Sequence, residues 1–385
     1  MTIINDLKLA KELIRFPTIT PVDAGIMKFL EKKLRSIGFK TKVLEFKNSN
    51  SRPVKNIYAR IGTKGKNFCY AGHLDVVPPG NIKNWSSHPF SPTVKNNKLI
   101  GRGASDMKGS VASFVSAASD FVTKNKKLSG SISLLITGDE EGESINGTRK
   151  VVEYLKKNKE KINFCLVGEP TNPTKMGEMI KIGRRGSITV KLKIFGKMGH
   201  VAYNHQAINP STCVVEILNT LKSLKLDKGT KNFQPSNLEI TKINIDNNAD
   251  NVIPYEASTT FNIRFNDKHN SNSLKKKINF YIKKICKKHG CRNKIEYIVS
   301  GESFITKPNK VTYMIRDIVK KNTRINTKLS TSGGTSDARF IRKISPCIEF
   351  GLVGASMHQI NENVNIKDLK TLTKIYREIL DNYFL

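Results

Sequence analysis

Apolar residues recur along this chain in two rhythms. From residue 1 to about 182, segments with apolar positions at helical spacing alternate with short continuous apolar runs. Residues 7–14 and 26–37 read as helices, the second stopping at Gly38. Runs near 57–61, 68–74, 132–137 and 164–168 read as buried strands, with helices at 107–123 and 148–157 between them. This alternation predicts an α/β domain, a mostly parallel sheet with helices on both faces. Near 183 the rhythm changes. Residues 186–196 alternate apolar and polar like a half-exposed strand. A helix at about 210–224, strands near 238–245 and 257–265, and a helix near 273–289 follow. Beyond about 298 the first rhythm returns, with a helix at 310–322, a strand at 347–351 and a final helix near 367–382. The expected organisation is therefore a discontinuous domain, 1–182 and 298–385, with a small α+β domain, 183–297, inserted into it.

Several apolar runs end in residues that carry chemistry. Phe68-Cys69-Tyr70-Ala71-Gly72 leads into His73-Leu74-Asp75, and Ser131-Ile132-Ser133-Leu134-Leu135-Ile136 leads into Gly138-Asp139-Glu140-Glu141-Gly142. Phe164-Cys165-Leu166-Val167-Gly168 leads into Glu169, and Cys347-Ile348-Glu349-Phe350-Gly351 leads to His358. The carboxyl edge of an α/β sheet is where such folds place their chemistry. Adjacent carboxylates at one strand end point in different directions, so one of Glu140 and Glu141 can bind a metal while the other handles a proton. Asp75 is placed to fold back on His73 and accept the ring N–H that a metal leaves free. Gly101-Arg102-Gly103-Ala104-Ser105-Asp106-Met107-Lys108-Gly109 is a glycine-rich loop entering a helix, without the Lys-Ser/Thr ending of a phosphate loop. Asp106 at that turn has two oxygens with which to bridge two ions. With His73, Glu169, His358 and one of Glu140 and Glu141 it makes five nitrogen-and-oxygen ligands and leaves one carboxylate spare. Such a set suits Zn²⁺, with Co²⁺ or Mn²⁺ as alternatives.

Composition narrows the setting. The chain has 385 residues, 38% of them hydrophobic, and six scattered cysteines with no CxxC pair. No run approaches the ~18 apolar residues of a membrane span. The amphipathic N-terminus, stopped at Pro17, lacks the uncharged core of a signal peptide, so a cytoplasmic location is expected. The formal charge of +34 suggests either a surface for polyanions or the lysine-rich usage of an AT-rich genome. The densest cluster, Lys283-Lys284 and Lys287-Lys288, reads as the solvated face of a helix whose apolar side is Ile278, Ile282 and Ile285. No nucleic-acid-binding motif accompanies the charge, which leaves a non-catalytic nucleic-acid or membrane binder as the weaker reading.

These motifs resemble the dinuclear zinc peptidase and deacylase family, M20, which includes aminoacylases, carboxypeptidases and dipeptidases. The resemblance spans essentially the whole chain. It rests on Gly72-His73-Leu74-Asp75-Val76-Val77-Pro78, the 101–110 loop, Gly138-Asp139-Glu140-Glu141-Gly142 and Gly168-Glu169-Pro170. It implies two Zn²⁺ per subunit, one held by His73 and Glu169, the other by Glu141 and His358, with Asp106 between them. It also implies Glu140 as general base and acid and Asp75 as the residue that orients His73. His200, from the partner subunit of a homodimer, would donate to the oxyanion, and the inserted domain would serve as lid and dimer contact.

Narrower motifs, Gly183-Arg184-Arg185-Gly186-Ser187, Gly199-His200-Val201-Ala202-Tyr203 and Ser332-Gly333-Gly334-Thr335-Ser336-Asp337-Ala338-Arg339-Phe340, imply a small-molecule substrate. The resemblance implies that this substrate is N-succinyl-LL-2,6-diaminopimelate, split to succinate and the free amine on the way to lysine. N-acetylornithine, or the substrate of a related aminoacylase or dipeptidase, is the alternative. Arg184, Ser187, Tyr203, Asn251, Arg264 and Thr335 are the residues expected to hold the substrate, with Arg185 competing for the place of Arg184. His88 is expected to cap a turn, and His269 and His289 to be solvated.

Overall fold

The computed structural model describes residues 3–49, 51–125 and 127–384. The chain divides into two compact units, one of Met1–Ile182, Thr306–Ser330 and Ser336–Leu385, the other of Gly183–Ile305 and Thr331–Thr335. Among the described residues, no helix is long and apolar enough to cross a membrane.

The first unit is built on an eight-stranded sheet. Its order is Lys40–Phe46, Val54–Ile61, Ser131–Thr137, Asn67–His73, Phe164–Val167, Cys347–Glu349, Met179–Lys181 and Lys328–Ser330. The four strands from Ser131–Thr137 to Cys347–Glu349 are mutually parallel, so their carboxyl ends share one edge. Antiparallel neighbours flank this parallel centre: Val54–Ile61 pairs antiparallel with Ser131–Thr137, and Cys347–Glu349 meets Met179–Lys181 antiparallel. The sheet is thus mixed, with the parallel part where the sequence placed the chemistry. Ser131–Thr137 and Asn67–His73 are buried at every position, as strands covered on both faces are.

The helix Lys108–Lys124 starts just past Asp106 and packs against the helices Asp6–Ile14 and Ile366–Phe384. Its serines do not face water. Ser110 Oγ lies 2.9 Å from Tyr376 Oη, Ser116 Oγ donates to Ile4 O at 2.7 Å, and Ser119 Oγ accepts from Ile4 N at 2.9 Å. Each buried hydroxyl is therefore satisfied, which removes the cost of its desolvation.

The second unit is a four-stranded antiparallel sheet, ordered Asn237–Asn244, Glu256–Phe265, Gly186–Phe195 and Arg292–Gly301, with the helices Pro210–Ser223 and Ser271–His289. Strand Arg292–Gly301 runs past residue 297, and Phe304–Ile305 then pairs with Gly183–Arg184. One face of the sheet, with Ile188, Val190, Leu192, Phe261 and Ile263, packs on Val214, Ile217, Ile278, Ile282 and Ile285 of the helices. Lys283, Lys284, Lys287 and Lys288 lie on the outer side of the second helix and are exposed.

Candidate metal centre and substrate residues

The parallel centre of the sheet brings the chemical residues of the first unit together. His73 closes its strand, Glu140 and Glu141 follow Ser131–Thr137, and Glu169 follows Phe164–Val167. His73 Nε2 lies 3.2 Å from Asp106 Oδ1 and 4.0 Å from Glu169 Oε1. His358 Nε2 lies 3.2 Å from the other Asp106 oxygen, Oδ2, and 2.9 Å from Glu141 Oε1. One carboxylate thus faces two imidazoles, each with a second carboxylate beside it. His358 takes a φ of +62°, in the left-handed region that a side chain rarely adopts. The peptide bond between Asp106 and Met107 is cis. Two overlapping groups of ligand atoms are close enough to hold a metal ion: His73, Glu140 and Glu169, and His73, Asp106 and Glu141. On distance alone Glu140 is as eligible a ligand as its neighbours.

The electrostatics agree with a site for positive charge. Burial would lower the His73 pKa, but the hydrogen bond to Asp106 and the charges of Glu169, Asp106 and Asp75 outweigh it and hold it well above the usual value. Hydrogen bonds to Asp106 and Glu141 lift His358 to about 10. Burial would raise Asp106, yet the hydrogen bonds from His358 and His73 keep it far below the ordinary carboxylate range. A field that binds protons this strongly on two imidazoles also favours cations there. Glu140 behaves differently: burial, then the charges of Glu169 and Asp337, push its carboxyl well above the usual value.

Asp75 does not orient His73 in the expected way. His73 Nδ1 lies 2.9 Å from the backbone carbonyl of Asp75, whereas the Asp75 carboxylate is 3.7 Å away. A carbonyl only accepts, so Nδ1 carries the proton and the lone pair of neutral His73 is on Nε2, towards Asp106. The Asp75 carboxylate instead accepts the backbone N–H groups of Glu140, at 3.2 Å, and Glu141, at 3.0 Å. Burial lifts this carboxyl to about 6, against the pull of the His73 charge and those two N–H groups. Its structural effect is to pin the turn that carries Glu140 and Glu141.

In the second unit the expected substrate residues form two groups. Ser187 and Arg264 face each other across paired strands. Arg184, on the neighbouring short strand, donates to Ser332 O at 3.4 Å in the segment that includes Thr335. Arg185 is engaged elsewhere, by Asn237 Oδ1 at 2.9 Å and Pro235 O at 3.2 Å, which separates the two arginines. The second group is His200, Tyr203 and Asn251. His200 pairs with Val252, its ring centroid is 5.8 Å from that of Tyr203, and Val201 N donates to Asn251 O. All three residues of this group are exposed.

Other histidines settle into structural roles. His88 Nδ1 accepts from Phe90 N at 3.3 Å in a turn. His269 and His289 are not simply solvated: they lie 3.2 Å from Asp227 Oδ2 and 2.7 Å from Glu216 Oε2. The sequence reading passed over Glu362 and Asp139. Asp139 Oδ2 accepts the N–H groups of Ile145 and Asn146 and ties down the loop that begins with Glu140. A carboxylate within four residues of a candidate ligand was the available signal for both.

The model of Peptidase family M20/M25/M40 matches residues 69–382. A succinyl-diaminopimelate desuccinylase of Pelagibacter ubique (strain HTCC1062) is 68% identical over 380 residues, 99% of this chain and 99% of that protein. The succinyl-diaminopimelate desuccinylase of Rhodospirillum centenum (strain ATCC 51521 / SW) is 47% identical over 380 residues, 99% of this chain and 97% of that protein. Among solved structures, the M20 family metallo-carboxypeptidase Sso-CP2 of Sulfolobus solfataricus shares the fold. Its TM-score is 0.81 at 20% identity, covering 98% of this chain and 99% of that one. With a matched sequence running from the strand that ends in His73 to the last helix, this chain belongs to peptidase family M20/M25/M40.

Proposed function

We propose that this chain is a metal-dependent amide hydrolase that converts N-succinyl-LL-2,6-diaminopimelate and water to succinate and LL-2,6-diaminopimelate. The observation that carries the chemistry is Asp106, whose two oxygens each face a different imidazole with a further carboxylate beside it. The substrate follows from the relative 68% identical over 380 residues. Imidazole and carboxylate donors without thiolate fit zinc. His73 and Glu169 would hold one ion, Glu141 and His358 the other, and Asp106 both. Bound there, the ions would acidify a water molecule and polarise the amide carbonyl.

The chain's own residues supply the proton transfers and the grip. Glu140, half-buried and with a raised proton affinity, takes a proton from the attacking water and returns it to the leaving nitrogen. Water oxygen is thereby joined to the succinyl carbon, the C–N bond breaks and the amine leaves neutral. Asp75 keeps the Glu140 backbone in place. The substrate carries three carboxylates and one ammonium. Arg184 and Arg264 would meet carboxylates through paired hydrogen bonds, with Ser187 and Thr335 adding single ones. His200 of the partner subunit would donate to the oxyanion, with Tyr203 and Asn251 beside it.

The reading includes a homodimer, supported by Val215 and Phe280, which are 61% and 62% exposed on the helices of the second unit. It includes a cytoplasmic location, supported by six free, buried cysteines. Nucleic acid and membrane have no part in it.

The test is succinate release from N-succinyl-LL-2,6-diaminopimelate by metal-stripped protein with zinc restored, and N-acetylornithine in parallel. Zinc-dependent release of succinate with acetylornithine untouched is expected. Cleavage of acetylornithine alone would replace the substrate, and silence on both from folded, zinc-loaded protein would sink the reading.

A further inference from the structure

Glu362 lies 1% exposed, four residues past His358, and its carboxylate is fully engaged. Oε1 accepts the backbone N–H groups of Ser105 and Asp106, each at 2.9 Å. Oε2 accepts the N–H of Gly103 at 2.9 Å and Arg102 Nη1 at 2.8 Å. One buried carboxylate therefore gathers the N–H groups of the turn that ends at Asp106. The turn requires Gly103, whose φ is +86° and whose place has no room for a Cβ, which would meet Val76 Cγ1 at 2.9 Å. Backbone bonds reinforce the link, since Gly101 N donates to Glu362 O. Arg102 completes it. Its guanidinium stacks 5.2 Å from the Trp85 ring and also donates to Gln359 O, one residue after His358, and to Pro78 O. The Glu362–Arg102 pair thus ties the segment that carries His358 to the turn that carries Asp106.

We propose that Glu362 is a positioning residue of the metal centre, one that sets the aim of Asp106 by holding the 103–106 backbone and sets zinc affinity in doing so. This rests on the metal-dependent reading given above. Groups that orient a ligand from behind typically change metal affinity by roughly 10- to 100-fold when removed. Glu362→Gln keeps the size of the side chain but turns one acceptor into a donor, which then faces N–H groups or the Arg102 guanidinium.

The experiment is calorimetric titration of metal-stripped full-length protein with Zn²⁺, for wild type, Glu362→Gln, Glu362→Asp and Ser113→Ala, with thermal melts of each. Glu362→Gln is expected to lose roughly 10- to 100-fold in zinc affinity, and its zinc-restored form to lose kcat with little change in KM. Glu362→Asp, which keeps the charge, should recover part of both. Ser113→Ala removes a buried hydroxyl bonded to Leu369 O, so it should lower Tm and leave zinc affinity unchanged. Wild-type zinc affinity in folded Glu362→Gln would overturn the proposal. If that variant does not fold, Glu362→Asp decides by the same titration. Failure of both to fold would overturn it too, leaving Glu362 a residue of stability alone. Zinc binding is read without substrate, which separates the two ideas. A wild type that binds zinc but spares N-succinyl-LL-2,6-diaminopimelate overturns only the substrate, whereas one that binds no zinc overturns both.

Discussion

Glu140 and Glu141 are chemically identical neighbours with different surroundings. Glu141 approaches His358 at 2.9 Å, while desolvation first, and then the charges of Glu169 and Asp337, raise the proton affinity of Glu140. A carboxyl with raised affinity is suited to moving a proton. Glu140→Ala should therefore lower kcat by roughly 10²- to 10⁴-fold with two zinc ions still bound, as read by metal analysis of the folded variant. Loss of zinc along with activity would move Glu140 into the ligand set, a place its distance from His73 and Glu169 allows. The residue types at this site were legible because they stand where apolar runs stop. Their hydrogen-bond partners were not. Asp75 was expected on the ring of His73, yet its own carbonyl takes that place and its carboxylate serves the next strand's turn. A two-residue spacing brings both oxygens of Asp75 near the imidazole, and only the path of the backbone decides between them.

Strands and helices position these residues through close backbone contacts. A Cβ on Gly351 would lie 2.3 Å from Gly168 O and 2.4 Å from Glu169 O, where the strand end carrying Glu169 passes its neighbour. Backbone cannot step aside as a flexible side chain can. Gly351→Ala should cost about 1–3 kcal/mol, seen as a lower Tm, and should weaken zinc binding by displacing Glu169. An unchanged Tm would mean that this strand end yields freely.

In the second unit, Asp227 accepts hydrogen bonds from Gly229 N, Ser236 N and Asn266 Nδ2. Burial opposes its charge, but these bonds win and hold the carboxyl at about 2, below the usual 3.8. The folded pKa is the lower one, so the stabilisation is complete above pH 3.8 and disappears as pH falls towards 2. Asp227→Asn should accordingly melt below wild type at pH 6, and the gap should close as the buffer is taken down through that window. A gap that stays constant with pH would show that the charge contributes nothing. The helix Ser271–His289 shows which features of an element can be read in advance. Ile278, Ile282 and Ile285 recur at helical spacing and do face the core, with the lysines outward.

The whole molecule carries a formal charge of +34, and the proposed substrate is a net anion. Long-range attraction of this kind is screened within about 8 Å at physiological salt, so it acts on encounter more than on the bound state. Raising ionic strength from about 0.05 to about 0.5 M should lower kcat/KM several-fold through KM, with kcat nearly constant. Stopped assays across a salt series measure this directly, and a flat series would confine the charge to composition.

The sequence by itself determined the two periodicities, and with them the succession of elements and the strand ends where His73, Glu140, Glu141 and Glu169 stand. It also determined the family, because the motifs that carry the resemblance are contiguous strings of residues. Both are local properties, readable within a few residues. The tertiary structure decided what depends on closure of the chain over long separations. Glu362 reaches the Asp106 N–H across 256 residues, and Arg102 reaches Glu362 across 260. Arg184 and Arg185 are adjacent and alike in sequence; the structure distinguishes them, with Arg185 engaged by Pro235 O and Asn237 Oδ1 and Arg184 by Ser332 O. No spacing rule encodes such contacts, since they arise when segments far apart in sequence meet and a polar group taken out of water must find its partner there.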